Sequence, residues 1–313
     1  MIRRYGAALA AICMLLFSGS ALAQGAPAPA APFQAEPAFQ PRIERVKVGE
    51  IEMGYYARGD GAPLVMIMGL GATMADWDLA LLEALAHDRK LIVIDNRGCG
   101  FSSDTAQNHT SIAQMADDAA GLVRALGYGN VDLLGYSMGA MIASQVAVRH
   151  PEMLRSLMLL APSPGGSHEV PPAPGVLEAI AHHTLALPQV LALFFPEDAA
   201  GQEAGRALVL RAVAGRKAGT IPAAPACSDE TGTRQVEALR QFSASDASYD
   251  ALPALTTPTL VMGGRADKVL PPANARTVAG RIPFAWSAYF EGGHLFWAQS
   301  RAQVIATLRA FLQ

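Results

Sequence analysis

The stretch Val-Asp-Leu-Leu-Gly-Tyr-Ser-Met-Gly at residues 131–139 joins a short apolar run to a Gly-x-Ser-x-Gly motif. Residues 140–148 follow with helix-forming composition and contain neither Gly nor Pro. A buried strand, this motif and a helix are the sequence context of a nucleophile elbow, a sharp turn that exposes a serine at the end of a sheet. We therefore take Ser137 as the candidate nucleophile. Gly135 and Gly139 lie where side chains would crowd the turn.

The composition indicates a globular protein with a large core. The chain has 313 residues, of which 51% are hydrophobic and 16% charged, and its net charge is −3. This length suits one large domain or one domain with an insertion. The chain has no long basic or acidic block, so nothing indicates a nucleic acid or an anionic membrane surface as partner. No paired His or Cys residues have metal-site spacing, and we expect neither a metal nor another cofactor.

Residues 1–23 have the features of a signal peptide. Arg3 and Arg4 precede an apolar run at 7–17 that is too short to span a bilayer comfortably, and Ala-Leu-Ala at 21–23 supplies a cleavage pattern. We expect cleavage after Ala23, no stable membrane anchor afterwards, and a periplasmic or secreted location. An uncleaved anchor is the alternative. Residues 24–41 are rich in Ala and Pro and are typical of a disordered linker or an extended arm.

Strand and helix patterns alternate from residue 42 onward. A hairpin pattern comes first, and buried or alternating strand patterns follow at 64–68, 91–94, 131–134, 157–160, 259–262 and 284–290. Helical patterns separate them, which predicts an α/β fold with a mostly parallel eight-stranded sheet and helices on both faces.

The alternation of strand and helix patterns stops between residues 163 and 255. This segment has no convincing buried strand, and it carries helical stretches broken by Pro and Gly at 176–187, 204–214 and 235–242. We therefore predict a helical cap over 163–255, inserted between core segments 42–162 and 256–313.

A serine hydroxyl is a weak nucleophile until a base takes its proton, and that base needs an orienting acid. Among seven histidines, His294 stands out because it follows Glu-Gly-Gly on a loop directly after the last predicted strand. Asp267 follows the strand before it, whereas the strand at 157–160 ends in Ala-Pro-Ser without a carboxylate. Ligands of open sheets of this kind bind outside the carboxyl ends of the strands. The pattern predicts His294 as the base and Asp267 as the acid.

Negative charge that develops on a substrate oxygen needs fixed amide donors. Met138 follows the nucleophile and should supply one donor, and Leu70 in the Gly-Leu-Gly loop at 69–71 should supply the other. Phe194, Phe195 and Phe242 are candidate walls of the substrate pocket. Packing within the cap is the simpler interpretation of these three rings.

From residue 42 to 313 the chain resembles the α/β-hydrolase superfamily, and it looks most like the esterase, enol-lactonase and cofactor-free haloperoxidase-like group. That group carries a helical cap where this chain has residues 163–255. Two positions depart from the usual pattern: Met68 stands where many relatives have His, and Cys99 replaces the usual His or Phe. The resemblance rests on five motifs, Met68-Gly69-Leu70-Gly71 with Trp77 downstream, Asp95-Asn96-Arg97-Gly98-Cys99-Gly100-Phe101-Ser102, Gly135-Tyr136-Ser137-Met138-Gly139, Gly264-Arg265-Ala266-Asp267 and Gly293-His294.

The resemblance implies a serine hydrolase that cleaves a small apolar carboxylic ester or lactone through an acyl-enzyme on Ser137. A carbon–carbon bond hydrolase or a thioesterase on the same three residues is an alternative. A non-catalytic ligand-binding protein on the same fold is an alternative of another class. The oligomeric state stays open at this point.

Cys99 and Cys227 are the cysteines of the expected mature chain. Export permits them to pair, but a bridge needs their Cα atoms within about 7 Å. We expect two unpaired thiols, with a bridge between cap and core as the alternative.

Overall fold

The computed structural model describes residues 39–105, 107 and 110–313. The predicted signal peptide and residues 24–38 of the predicted linker lie outside the described residues. Among the described residues, no helix combines the length and the apolar character that crossing a membrane requires.

Eight strands of the described chain form one sheet in the order β1-β2-β4-β3-β5-β6-β7-β8. The first two form an antiparallel hairpin, β2 pairs antiparallel with β4, and all the other pairings are parallel. The α/β fold with a mostly parallel eight-stranded sheet is therefore confirmed. The strands are β1 (Glu44–Val48), β2 (Ile51–Arg58), β3 (Ala62–Ile67), β4 (Arg89–Ile94), β5 (Val131–Tyr136), β6 (Leu154–Leu160), β7 (Thr259–Gly264) and β8 (Trp286–Phe290).

Helices cover both faces of the sheet, so its central strands are buried on both sides. The helices are α1 (Leu79–Ala86), α2 (Ile112–Ala125), α3 (Met138–Arg149), α4 (Val176–Ala181), α5 (Leu187–Phe194), α6 (Ala199–Ala218), α7 (Asp229–Ser243), α8 (Ala247–Ala251), α9 (Pro272–Arg281), α10 (Phe296–Gln299) and α11 (Arg301–Phe311). Successive side chains of a strand point to opposite faces. Val65 and Ile67 accordingly join a core with α2 and α3, whereas Leu64 and Met66 join a second core with α1 and α11.

Several element boundaries differ from the sequence prediction, each for a local reason. The first core helix begins at Leu79 because the Asp78 carboxylate caps it by accepting the amide of Ala80. The last strand begins at Trp286, since Phe284 adopts a left-handed φ of 59° that interrupts an extended chain. Helix α6 is longer than predicted because Asp198 caps its start and Gly219, at φ 71°, ends it.

The segment between β6 and β7 contains helices α4 to α8, and it is attached to the rest of the molecule by charged pairs. The Asp78 carboxylate accepts two hydrogen bonds from Arg211 of α6, at 2.9 and 2.8 Å. Arg234 of α7 donates to Asp104 at 2.7 Å, and Lys268 donates to Glu197 at 2.5 Å. These pairs attach the segment, which we call the cap, to the rest of the molecule at three separate points.

Cys99 and Cys227 form a disulfide, with their Cα atoms 4.3 Å apart. The expectation of two unpaired thiols was therefore wrong. The docking of α7 explains the pairing, because Thr231 Oγ1 donates to the carbonyl oxygen of Gly98 at 3.1 Å. This contact brings the start of α7, and the cysteine just before it, against the loop that follows β4.

Candidate active site

Ser137 occupies the turn between β5 and α3 with φ 57° and ψ −123°. Such a left-handed backbone is strained for a residue with a side chain, and it persists only where the surroundings enforce it. A Cβ at Gly135 would lie 2.1 Å from the carbonyl oxygen of Gly139, and a Cβ at Gly139 would lie 2.2 Å from that of Ile67. Only glycine fits either position, so the motif holds the serine at the end of the sheet.

The loops after β7 and β8 bring Asp267 and His294 to Ser137. His294 Nε2 lies 2.9 Å from Ser137 Oγ, and His294 Nδ1 lies 2.7 Å from Asp267 Oδ2. Because a carboxylate only accepts, Nδ1 donates to Asp267, and Nε2 is left to accept the serine hydroxyl proton. The structure thus brings together the three residues that the sequence predicted, in one hydrogen-bonded chain.

Asp267 is oriented by the backbone as well as by His294. Its Oδ1 accepts the amides of Val269 at 2.8 Å and Leu270 at 2.9 Å, which leaves Oδ2 for the imidazole. Asp267 is 6% exposed and His294 is 2% exposed. This burial excludes water from the bond between them and strengthens their electrostatic interaction.

Aromatic rings surround the imidazole of His294. The ring of Tyr136 lies 5.0 Å from it, and the ring of Phe194 lies 5.7 Å from it, both tilted. Tyr136 also packs edge-on against Trp297. Burial raises the pKa of the Tyr136 hydroxyl well above its usual value, so this ring stays neutral. Together the rings restrict how the imidazole can rotate.

Leu70 and Met138, the two predicted amide donors, lie at the same cavity as the serine. Among the described residues, neither amide donates to a protein acceptor, and both residues line the cavity that contains Ser137 and His294. Met138 is the first residue of α3, where helix amides are free for an anion. The arrangement leaves two donors available to an oxygen bound beside the serine.

A cavity of about 560 Å³ opens over the serine, between the strand ends and the cap. Its walls are mainly apolar and include Phe194 and Phe195, as the sequence suggested. Phe242 is not among the lining residues, and this part of the prediction was wrong. Helix α7 turns Leu239 and Ser243 toward the cavity, whereas the Phe242 ring packs beside Gly165.

The two arginines at the cavity are paired with carboxylates. Arg216 lies 3.4 Å from Asp76, and Arg240 lies 2.5 Å from Glu178. Among the lining residues these two supply the guanidinium groups. In the part of the chain that the structure describes, no group of three His, Cys, Asp or Glu residues is arranged to hold a metal ion.

Sequence reasoning missed Gln235, which is fully buried and contacts the loop of Leu70. The sequence contained a weak indication of its role. Gln235 lies on the apolar stripe of α7, four residues before the buried Leu239, and a buried polar side chain requires a hydrogen-bond partner.

A family model described as the alpha/beta hydrolase fold matches residues 62–298. The chain belongs to the α/β-hydrolase family. The resemblance inferred from the five motifs is therefore confirmed. Membership in a family of hydrolases supports the prediction that the protein is an enzyme.

Known proteins similar to this α/β-hydrolase include enzymes named for different activities. It is 30% identical to the 2-hydroxymuconate semialdehyde hydrolase of Pseudomonas sp. (strain CF600) over 269 residues, 84% of this chain and 90% of that protein. It is 28% identical to a poly(3-hydroxyalkanoate) depolymerase of Ectopseudomonas oleovorans, over 80% of this chain and 84% of that one. The solved enol-lactonase of Burkholderia xenovorans LB400 superposes with a TM-score of 0.70 at 22% identity, covering 86% and 99% of the two chains, and this likeness shows the fold.

Proposed function

We propose that this α/β-hydrolase cleaves a carboxylic ester or lactone through an acyl-enzyme on Ser137. The hydrogen-bonded chain from Ser137 through His294 to Asp267 carries this proposal, because it ends on a serine that lines an apolar cavity. A serine activated in this way attacks a carbonyl carbon.

The reaction follows from the positions of these groups. Ser137 Oγ attacks the carbonyl carbon while its proton passes to His294 Nε2, and Asp267 stabilises the imidazolium that forms. The amides of Leu70 and Met138 stabilise the negative oxygen of the tetrahedral intermediate. His294 then protonates the leaving alkoxide, and Ser137 remains acylated. Water, deprotonated by His294, attacks the acyl carbon, and the intermediate collapses to release the acid and restore the serine.

The cavity supports a small apolar substrate. Its walls are mainly apolar, with Phe194 and Phe195 beside the histidine, and apolar pockets of this size take small organic ligands. The two guanidinium groups that line it are already paired with carboxylates, so they offer no unpaired cation to an anionic substrate. A neutral ester or lactone fits this balance of charge.

A carbon–carbon bond hydrolase is the second candidate, because the 30% identical relative bears the name of a semialdehyde hydrolase. The same serine, histidine and aspartate would serve. The muconate in that name denotes a carboxylate, and such a group would need a cation near Ser137. The paired arginines therefore favour the ester.

The test compares short p-nitrophenyl esters with a vinylogous diketone as substrates of the purified protein. We expect turnover of the esters, and we expect Ser137→Ala to reduce it to at most a few per cent of the wild-type rate. Ser144→Ala, a buried serine in the helix that follows Ser137, is the control and should retain the wild-type rate. Preferential turnover of the diketone would support the second candidate. A Ser137→Ala variant with substantial activity would show that another group is the nucleophile.

We also propose that the protein is exported and that the mature chain begins at Gln24. The positive start, the short apolar run and the Ala-Leu-Ala pattern support this. Expression of the full chain in a Gram-negative host, followed by N-terminal sequencing of the periplasmic fraction, is the measurement. An uncleaved protein in the membrane fraction would contradict it.

A further inference from the structure

The amide of Leu70 belongs to a tight turn at residues 69–72. Ala72 N–H donates to the carbonyl oxygen of Gly69 at 3.3 Å, and Gly71 has a φ of 66°. A left-handed third residue is what a type II turn requires. The Gly69 carbonyl and the Leu70 N–H share one peptide plane and point in opposite directions. A rotation of this turn therefore moves the Leu70 amide.

Gln235 of the cap helix α7 bonds directly to this turn. Its Oε1 accepts the amide of Gly71 at 2.9 Å, and its Nε2 donates to Cys99 Sγ at 3.3 Å. The side chain is fully buried. The opposite orientation of the amide would set an N–H₂ group against the Gly71 N–H, so the donor pattern fixes which end meets the turn.

Other parts of the cap enclose the same turn. A Cβ at Gly71 would lie 3.2 Å from the Cα of Ala181 and from the carbonyl oxygen of Ile180, both in α4. The disulfide lies at its end, with Cys227 Sγ 3.8 Å from the Ala72 carbonyl oxygen. Helix α4 itself packs closely on α7, where Gly232 lies against the Ala181 carbonyl. The turn is thus held between the sheet and the cap.

We propose that Gln235 is a positioning residue, which fixes the oxyanion turn and so sets the direction of the Leu70 amide. This inference rests on the proposed function and deepens it. Gln235 is not among the residues that line the cavity, so it acts through Gly71 rather than on the substrate. The Leu70 amide meets full negative charge in the tetrahedral intermediate, and a displaced turn therefore reduces kcat more than it raises KM.

The experiment replaces Gln235 in the full-length, disulfide-bonded protein. Gln235→Met keeps the length of the side chain and removes the acceptor, whereas Gln235→Glu keeps an acceptor oxygen. Gln241→Met, on the exposed face of the same helix, is the matched control. Each variant is assayed for kcat and KM on a p-nitrophenyl ester, and hydrogen exchange is measured on the peptide that contains Gly71.

We expect Gln235→Met to lower kcat roughly tenfold with KM within about twofold, less than the loss of a whole oxyanion donor. We expect faster exchange at Gly71 in this variant, a higher kcat for Gln235→Glu than for Gln235→Met, and no change for Gln241→Met. Unchanged exchange at Gly71, an unchanged kcat, or a loss confined to KM would each overturn the proposal. A wild-type protein that hydrolysed no ester would overturn the proposed function instead, and the exchange at Gly71 would still decide whether Gln235 fixes the turn.

Discussion

Asp267 meets donors on both oxygens, the imidazole of His294 on one and the amides of Val269 and Leu270 on the other. In Asp267→Asn the side-chain carbonyl would still accept the two amides. Its N–H₂ group would then face His294 Nδ1 and place the imidazole proton on Nε2, where it blocks transfer from Ser137. We expect kcat to fall about 10⁴-fold, as for a triad histidine in the wrong tautomer.

Steady-state kinetics with a p-nitrophenyl ester check this prediction. Asp250→Asn, which changes an exposed carboxylate of the cap, is the control and should keep the wild-type kcat. A mild effect of Asp267→Asn, together with a severe effect at some other carboxylate, would contradict the assignment of the acid.

The buried carboxyl group of Asp95 should make the stability of the fold depend on pH. It is completely buried and accepts the amides of Met74 at 2.7 Å and Phe101 at 2.8 Å. Burial raises the pKa of its carboxyl from 3.8 to about 6, against the opposite effect of the two N–H donors. The native state therefore holds this proton more tightly than the unfolded chain. The resulting contribution to stability is fully present below the unfolded pKa and is lost as the pH rises through the folded pKa.

We expect the free energy of unfolding of the wild type to fall, relative to that of Asp95→Asn, by about 2 kcal/mol between pH 4 and pH 7. Urea unfolding of both proteins at several pH values measures this difference. Asparagine carries no titrating group, so its curve supplies the baseline. Parallel curves for the two proteins would show that Asp95 does not titrate in this range.

Among the elements, the turn between β5 and α3 is tightly packed at both of its glycines. In Gly135→Ala the new Cβ would meet the carbonyl oxygen of Gly139 at 2.1 Å, and the next nearest atoms are also backbone of α3, which cannot move aside as a flexible side chain could. We expect the free energy of unfolding to fall by about 3 kcal/mol or more, in the upper range for an overpacked core. Gly129→Ala is the control, since no heavy atom lies within 4 Å of its Cβ position. Equal stabilities of the two variants would contradict the strict packing.

The sequence contained enough to predict most elements and the three residues of the hydrogen-bonded chain. Buried strands are recognisable in the sequence as apolar runs. Ser137, Asp267 and His294 each follow the end of a strand, which places them at one edge of the sheet. Their chain order completed the argument. Local pattern was sufficient because each residue follows its own strand directly.

Features that depend on how helices of the cap dock were not predictable. Phe242 was a candidate wall of the cavity, but the rotation of α7 about its axis turns other side chains inward. The pairing of Cys99 with Cys227 likewise depends on where α7 rests on the loop after β4. Neither the rotation of a helix nor the place where it docks is encoded in local periodicity. The wrong predictions for Phe242 and for the two cysteines therefore both concern α7 and the residues next to it.

At the scale of the whole molecule, the disulfide joins residues 128 positions apart and links cap to core. Such a bridge restricts the unfolded chain, and the chain-entropy model gives a stabilisation of about 5 kcal/mol for a loop of this length. We expect Cys227→Ser to lower the free energy of unfolding by most of this amount, measured by guanidinium denaturation. Dithiothreitol should destabilise the wild type equally and leave Cys227→Ser unaffected. Two free thiols in denatured, unreduced mature protein would show that no bridge forms.

The same bridge closes a covalent ring of backbone that runs from Cys99 through Ser137 to Cys227, with Asp267 and His294 on the tail outside it. The proline-rich stretch at residues 170–175 is largely exposed and lies inside this ring. A single proteolytic cut there would open the ring without releasing a fragment, and the nicked protein would separate into two pieces only under reducing conditions. The serine and its histidine would then belong to different fragments and still form one covalent molecule.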